Sequence, residues 1–372
     1  MSMHRIRLLL TTFVAWLSLA GAQEPGSSAP SPDPAAGFAV PQPGRAFHFP
    51  ADHGSHPEFR VEWWYITGHL FGRGSASGER YGFQATFFRQ AASDRSTQIH
   101  LAHMAVVDTR TGRFLHQERL NRAGWDAAAA TSTLDVRQGP WSLRLTDEEA
   151  ERMNLRGGVA AQVRFELDLQ PAKPLVVFGD NGVSRKGDDP TAASHYLTFT
   201  RLRVEGRLEW QGEWRDVEGQ AWMDHEFSSS QLSRGQVGWD WVSLQLEDGR
   251  EVMLYRLRRA DGSADPASRL TWVSRSGETR VQSFEWAVLT RWRSPHSGGE
   301  YPARTRITTT DPETGGTVHL LVEPLVPDQE LPGELSRIPY WEGACRIRDE
   351  ATGQEIGSAY MELTGYAKPL AF

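Results

Sequence analysis

From Phe47 onward the chain is written in short runs in which apolar and polar residues alternate, each run bounded by Gly, Asp, Asn or Pro. Alternation of this kind gives an extended chain one face for a core and one for solvent or a second layer, the pattern of a β-strand. The clearest runs cover residues 60–71, 80–89, 98–108, 162–169, 195–204, 237–246 and 251–258. Asp248-Gly249 separates the last two as a two-residue hairpin turn, a place where positive φ is required and Gly supplies it at no steric cost. Asp261-Gly262 ends the strand that follows, and only residues 146–154 read as a short helix. With weaker runs included, the pattern predicts about eighteen strands and almost no helix, an all-β chain of antiparallel barrels or sandwiches. About eight strands already close one small barrel around its own side chains or a single ligand. Two barrel-like units are therefore expected, residues 47–230 and 231–372, parted in the polar stretch 231–235.

The first residues follow a different pattern. Arg5 and Arg7 precede a mostly apolar stretch over residues 6–19, and Ala20-Gly21-Ala22 follows as a small-x-small cleavage site. That combination predicts a secretory signal peptide over residues 1–22, a mature chain starting near Gln23, and a periplasmic or secreted protein. Residues 23–46 are rich in Pro, Ser, Ala and Gly and predict a flexible leader. No cysteine follows the apolar stretch, which argues against a lipid anchor, and no later stretch has the 18 apolar residues of a membrane helix. Composition narrows the classes further. A hydrophobic fraction of 39% with 14 Trp describes a globular chain rather than a disordered one. The 40 basic against 47 acidic residues form no cluster that would follow a phosphate backbone, so nucleic acid is not an expected partner. Cys345 stands alone, which excludes an internal disulfide and a Cys-rich metal site.

Candidate chemistry concentrates in three segments. In Glu62-Trp63-Trp64-Tyr65 a carboxylate and three aromatics share a strand, and alternation sends Glu62 and Trp64 to one face and Trp63 and Tyr65 to the other. Either Trp64 packs in a core while Glu62 pairs with an arginine such as Arg89, or Glu62 is a polar group in a ligand cavity. In Trp222-Met223-Asp224-His225-Glu226-Phe227 two acids flank an imidazole, a composition suited to general acid and base work. On an extended strand His225 faces away from Asp224 and Glu226, so the three cooperate only across a bulge or turn, and a structural histidine is the competing reading. A hydrolytic triad with Ser228, Ser229 or Ser230 is disfavoured because no Gly-x-Ser-x-Gly elbow is present. Trp239 and Trp241 share the opposite face from Asp240, and with Trp222 they form either core or the wall of an apolar pocket able to hold a lipophilic ligand or face a carbocation. His100 and His103 point to opposite faces of a predicted strand, and His53 and His56 near the leader are expected to be solvated, so no metal or cofactor is expected. Gly179-Asp180-Asn181-Gly182 lacks the strand-to-helix setting of a phosphate loop.

At these segments the sequence is similar to a known family. Glu62-Trp63-Trp64-Tyr65 with Thr67-Gly68-His69, Thr86-Phe87-Phe88-Arg89, Ala102-His103, Ala221-Trp222-Met223-Asp224-His225-Glu226-Phe227, Gly238-Trp239-Asp240-Trp241, Tyr340-Trp341-Glu342-Gly343 and Glu362-Leu363-Thr364-Gly365-Tyr366 resemble the AttH-like proteins. That family is related to the bacterial carotenoid 1,2-hydratases (hydroxyneurosporene synthases). The resemblance implies two lipocalin-like barrels of the calycin type, an N-terminal hydratase-type unit and a C-terminal lipocalin-like unit. It implies as activity the addition of water to a C=C bond of an isoprenoid or other lipophilic molecule. Asp224, His225 and Glu226 would then supply proton transfer, and Glu62, Trp64, Tyr65, Trp222, Trp239, Trp241 and Tyr255 would hold the substrate. The alternative is a non-catalytic lipophile carrier associated with an ABC transport system.

Overall fold

The computed structural model describes residue 35 and residues 37–370. The signal-peptide reading of residues 1–22 and the start near Gln23 lie outside the described residues. Within them the protein is all-β: two nearly closed antiparallel barrels, with helix limited to the single 3-10 turns Ala51–His53 and Gly74–Ala76. One sheet of thirteen strands runs from Val61 to Ser230, and a second of ten strands begins at Gln236. Twenty-five strands form where about eighteen are expected from alternation. Six of them, such as Ser184–Arg185 and Glu330–Leu331, have only two or three residues and are too short to show any period.

Each of the seven strong runs forms a strand. The helical reading of residues 146–154 is overturned. Strand Trp141–Asp147 turns back into strand Arg152–Val159 there. Asp147 causes the reversal: its carboxylate accepts the backbone N–H groups of Glu149 and Ala150, and Glu151 follows at φ 49°. A side-chain-closed turn of this kind outcompetes one turn of helix.

The interior of the first barrel is filled by Trp64, Ile66, Phe83, Phe87, Met104 and Phe165, and that of the second by Val242, Leu244, Val252, Leu254, Trp341 and Met361. Burial of each such side chain contributes about 1.5–3 kcal/mol. Strands Val61–Gly72, Arg80–Ala91, Gln98–Asp108, Gln236–Leu246 and Glu251–Arg259 are buried on both faces along most of their length. The inner face packs in its own barrel and the outer face packs on the other barrel. The two barrels come so close that a Cβ placed on Gly82 would lie 2.4 Å from the Ala344 side chain. Glu251, from the second barrel, accepts Lys173 and Arg201 of the first at 2.6 Å each. A fully buried carboxylate tolerates desolvation when two cations pair with it.

Candidate functional site

The outer faces of the two barrels meet around a cavity of about 230 Å³. Strand register builds its first wall. Thr198 pairs with Asp224, Asp224 with Tyr65, Tyr65 with Thr86 and Thr86 with His103. Directly opposed residues share a face, so this row points out of the first barrel. Two residues along, Tyr196, Glu226, Trp63, Phe88 and Leu101 form a parallel row. The second barrel answers with Tyr255, Trp241, Glu362 and Glu342, again neighbours across successive strands. Trp239 lies beside them and also lines the cavity.

Hydrogen bonds tie the two walls. Asp224 Oδ1 accepts from Thr198 Oγ1 and Trp222 Nε1, and its Oδ2 accepts from the Tyr196 hydroxyl, all at 2.7 Å. The Tyr196 oxygen in turn accepts Trp241 Nε1 at 2.9 Å. Tyr65 donates its hydroxyl to Glu342 Oε2 at 2.9 Å, and the Tyr340 hydroxyl lies 2.5 Å from His103 Nδ1. Lys186 pairs with Glu226 at 3.1 Å and rests on the rings of Tyr196 and Tyr255. Asp224, Glu226, Tyr65, Trp239, Trp241 and Tyr255 of the sequence reading thus share one cavity. Trp222 supports it from behind, donating to Asp224 and meeting Trp241 edge to face with ring centroids 6.1 Å apart.

Glu62, Trp64 and His225 do not belong to this cavity. Alternation turns them into the first barrel, where Trp64 stacks on His225 with ring centroids 4.8 Å apart. His225 Nε2 lies 3.0 Å from Glu62 Oε1, and Arg89 Nε donates to Glu62 Oε2 at 2.9 Å. The Arg89 pairing is therefore the one realised, and because the strand stays extended through residues 224–226, Asp224 and Glu226 lie on one face of it and His225 on the other. His53 and His56, expected in solvent, are buried. His56 bridges Glu62 at 2.8 Å and Asp52 at 2.9 Å, and His53 pairs with Glu151 at 3.1 Å. Donor atoms of His56, Glu62 and His225 lie within 4.8 Å of one another, near enough to share a metal ion. Glu62 also accepts Ser55 Oγ, the His56 backbone N–H and Arg89, so its two oxygens are already engaged, while His225 Nδ1 is buried with no hydrogen-bond partner among the described residues.

A sequence profile of the AttH-like proteins matches residues 40–366. The chain belongs to the AttH-like family. A crystal structure from Nitrosomonas europaea, itself provisionally assigned as AttH, is 36% identical to this AttH-like chain, with a TM-score of 0.78 over 88% of this chain and 100% of that one. Kievitone hydratase from Nectria haematococca superposes with a TM-score of 0.66 at 14% identity, covering 89% of this chain and 96% of its own. CghA bound to Sch210972 gives 0.54 at 10% identity, covering 90% and 97%. These two share the fold. No curated protein sequence matches the AttH-like chain.

The electrostatics of the AttH-like cavity are unusual in one respect. Among the described residues, Asp224, Glu342 and Glu362 have no ion-pair partner, although all three lie at the barrel interface. Burial pushes Asp224 up to about 7 against the pull of its three hydrogen-bond donors, and burial pushes Glu362 up to about 7 as well. Glu342 is held well above the usual carboxylate range by burial and by the neighbouring Glu362. Burial keeps Tyr65, Tyr196 and Tyr340 firmly protonated and takes His103 down to about 4, so it is neutral near pH 7. On the opposite face burial lowers His225 to about 4. Burial alone would raise Glu62, but hydrogen bonds from His225 and His56 and the charge of Arg89 hold it well below its ordinary value.

Sequence reasoning missed Tyr196, Lys186, Glu342 and Glu362 as site residues. The signal for the two glutamates was present: each interrupts an apolar strand of the second barrel, and Glu342 shares alternation with Tyr340 while Glu362 shares it with Thr364. Tyr196 carries no such mark. Only the pairing of its strand with the Asp224 strand brings it to the cavity.

Proposed function

We propose that the interbarrel cavity binds a lipophilic isoprenoid or lipid-like molecule and adds water across one of its C=C bonds. The observation that carries this reading is the set of three buried carboxyl groups without a cation, facing Trp239, Trp241 and Tyr255. Hydration of an alkene needs a proton donor, a wall that tolerates positive charge on carbon, and a base for the attacking water. Buried carboxyls raised toward neutrality serve as donor or base near their own pKa, and indole and phenol faces stabilise a developing cation. Apolar walls with a few convergent polar groups suit a lipophilic ligand. The fold shared with an enzyme named for hydration, kievitone hydratase, is in keeping with this reaction class.

Incubation with the isoprenoid alkene farnesol in ¹⁸O-labelled water tests the reading: an alcohol carrying the label is expected, and unreacted alkene under all conditions would overturn it. The second reading is a periplasmic carrier that hands a lipophile to an ABC transport system, and the signal-peptide pattern of residues 1–22 favours it. A carrier would bind farnesol without converting it. N-terminal sequencing of the protein from its own host checks export, with a start near Gln23 expected and an intact Met1 on cytoplasmic protein against it.

A further inference from the structure

The cavity has acids on both walls, and the two walls hold them differently. Asp224, on the first barrel, accepts three hydrogen bonds from Tyr196, Thr198 and Trp222. Three donors aimed at one carboxyl favour its ionised form. On the second barrel, Glu342 and Glu362 are direct cross-strand partners. Side chains so opposed have Cβ atoms about 4.5–5.5 Å apart, and two like charges there are unfavourable. Glu342 accepts a hydrogen bond from Tyr65 and Glu362 has one with the Trp239 side chain, and among the described residues neither glutamate has a Lys or Arg as an ion-pair partner. The other titratable groups facing the pair are the hydroxyls of Tyr65, Tyr340 and Tyr360 and, across the cavity, the carboxyls of Asp224 and Glu226. Lys186, the one lysine among the described residues that line the cavity, is already paired with Glu226.

Building on the hydratase reading, we propose that Glu342 and Glu362 form a carboxyl dyad that keeps one shared proton at neutral pH and delivers it to the alkene, while Asp224 is the base that receives the proton of the attacking water. In that step the alkene π pair forms a C–H bond with the dyad proton, leaving one negative charge more on the dyad. The adjacent carbon becomes a cation facing Trp241 and Tyr255. A water oxygen supplies the lone pair for the C–O bond and sheds its proton to the Asp224 carboxylate. Alkene plus water gives alcohol, and between turnovers the proton returns from Asp224 to the dyad through solvent. The raised ranges of Glu342 and Glu362 agree with a proton held between them. Two acids forced together so that both cannot ionise are a general way to keep a proton available at neutral pH.

Infrared difference spectroscopy in the carboxyl C=O region locates the proton without any substrate. At about pH 8.5, above the range to which Asp224 and Glu362 are raised, wild type should retain one protonated buried carboxyl. Glu342→Gln should remove that band and Asp224→Asn should leave it. With farnesol in deuterated water, Glu342→Gln should lower hydration about 10²–10⁴-fold, the usual loss for a missing proton-transfer group. Its affinity for the lipophilic probe N-phenylnaphthylamine should stay within about twofold, a change worth under 0.5 kcal/mol. A band that vanishes in Asp224→Asn and survives Glu342→Gln would overturn the dyad while leaving hydration standing. A wild-type chain that hydrates no farnesol would overturn the delivery step together with the hydratase reading, whatever the infrared result for the dyad. Should Glu342→Gln fail to fold, Glu362→Gln takes its place: a protonated band unchanged in size at about pH 6, where both dyad members carry protons, would equally refute the assignment.

Discussion

Replacing Asp224 by Asn should change stability with a sign that depends on pH. Folding raises this carboxyl from 3.8 to about 7. A carboxyl raised by folding binds its proton more tightly in the native state, so its contribution is fully present below the unfolded value and is lost as pH rises toward the folded one. Between about pH 5 and pH 7 the wild-type protein therefore loses about 2 kcal/mol relative to a variant whose amide never ionises. Against this, the amide has a single oxygen for Thr198, Trp222 and Tyr196, and its NH₂ meets a donor where the carboxyl offered an acceptor. One orphaned buried donor costs about 1–3 kcal/mol. Near pH 5 the variant should be the less stable protein by that amount, and near pH 8 it should match or exceed wild type. His69, lowered to about 3, and His100, His103 and His225, each lowered to about 4, act in the other direction. They make the fold lose stability as pH falls below about 6.5, but they do so equally in both proteins and cancel in the difference. Urea unfolding of the pair at intervals between about pH 5 and pH 8 reads that difference directly. A difference independent of pH would refute the raised carboxyl and, with it, the account of Asp224 as a group poised near neutrality.

Trp241→Ala should weaken binding of N-phenylnaphthylamine about ten- to hundredfold in a fluorescence titration, because it removes an aromatic wall together with the indole that donates to Tyr196. Glu62→Gln breaks a buried network that includes Arg89, His56 and His225, and should cost about 3–5 kcal/mol in chemical denaturation while leaving probe affinity of the folded protein unchanged. A shift in affinity without loss of stability would place Glu62 back in the ligand site. Gly82→Val inserts a side chain where Ala344 of the other barrel lies 2.4 Å from the added Cβ, so it should both destabilise the fold by about 1–3 kcal/mol and lower probe affinity.

Much of this arrangement could be read from alternation. Period two separates Asp224 and Glu226 from His225, and Trp239 and Trp241 from Asp240, and the structure keeps each separation. Alternation says which residues share a face, but it does not say what covers that face. Trp64 and Tyr65 are adjacent and both buried, yet one fills a barrel and the other meets Glu342, 277 positions away in the chain. That distinction comes from how the barrels dock, which no local pattern records. The same limit explains His53: proximity to a polar leader suggests solvent, and a pair with Glu151, 98 positions away, decides otherwise, while His56 is buried by a pair with Glu62 only six positions on. Asp147 shows the converse case, a local device strong enough to reverse the chain within a segment whose composition suits a helix.

Because one wall of the cavity comes from each barrel, neither barrel carries a complete site of its own. Acid and aromatic groups sit on two sheets, and their mutual spacing is set by a docking surface that includes His69 on the Ala359 carbonyl and Gln245 on the carbonyls of Thr200 and Ala221. Relatives can therefore diverge by changing one wall at a time: a recombinant chain that inherits its first barrel from one parent and its second from another would set the Asp224 wall of one against the Glu342 and Glu362 wall of the other. The same division makes slippage along the docking surface a means of altering selectivity without replacing any residue that lines the cavity.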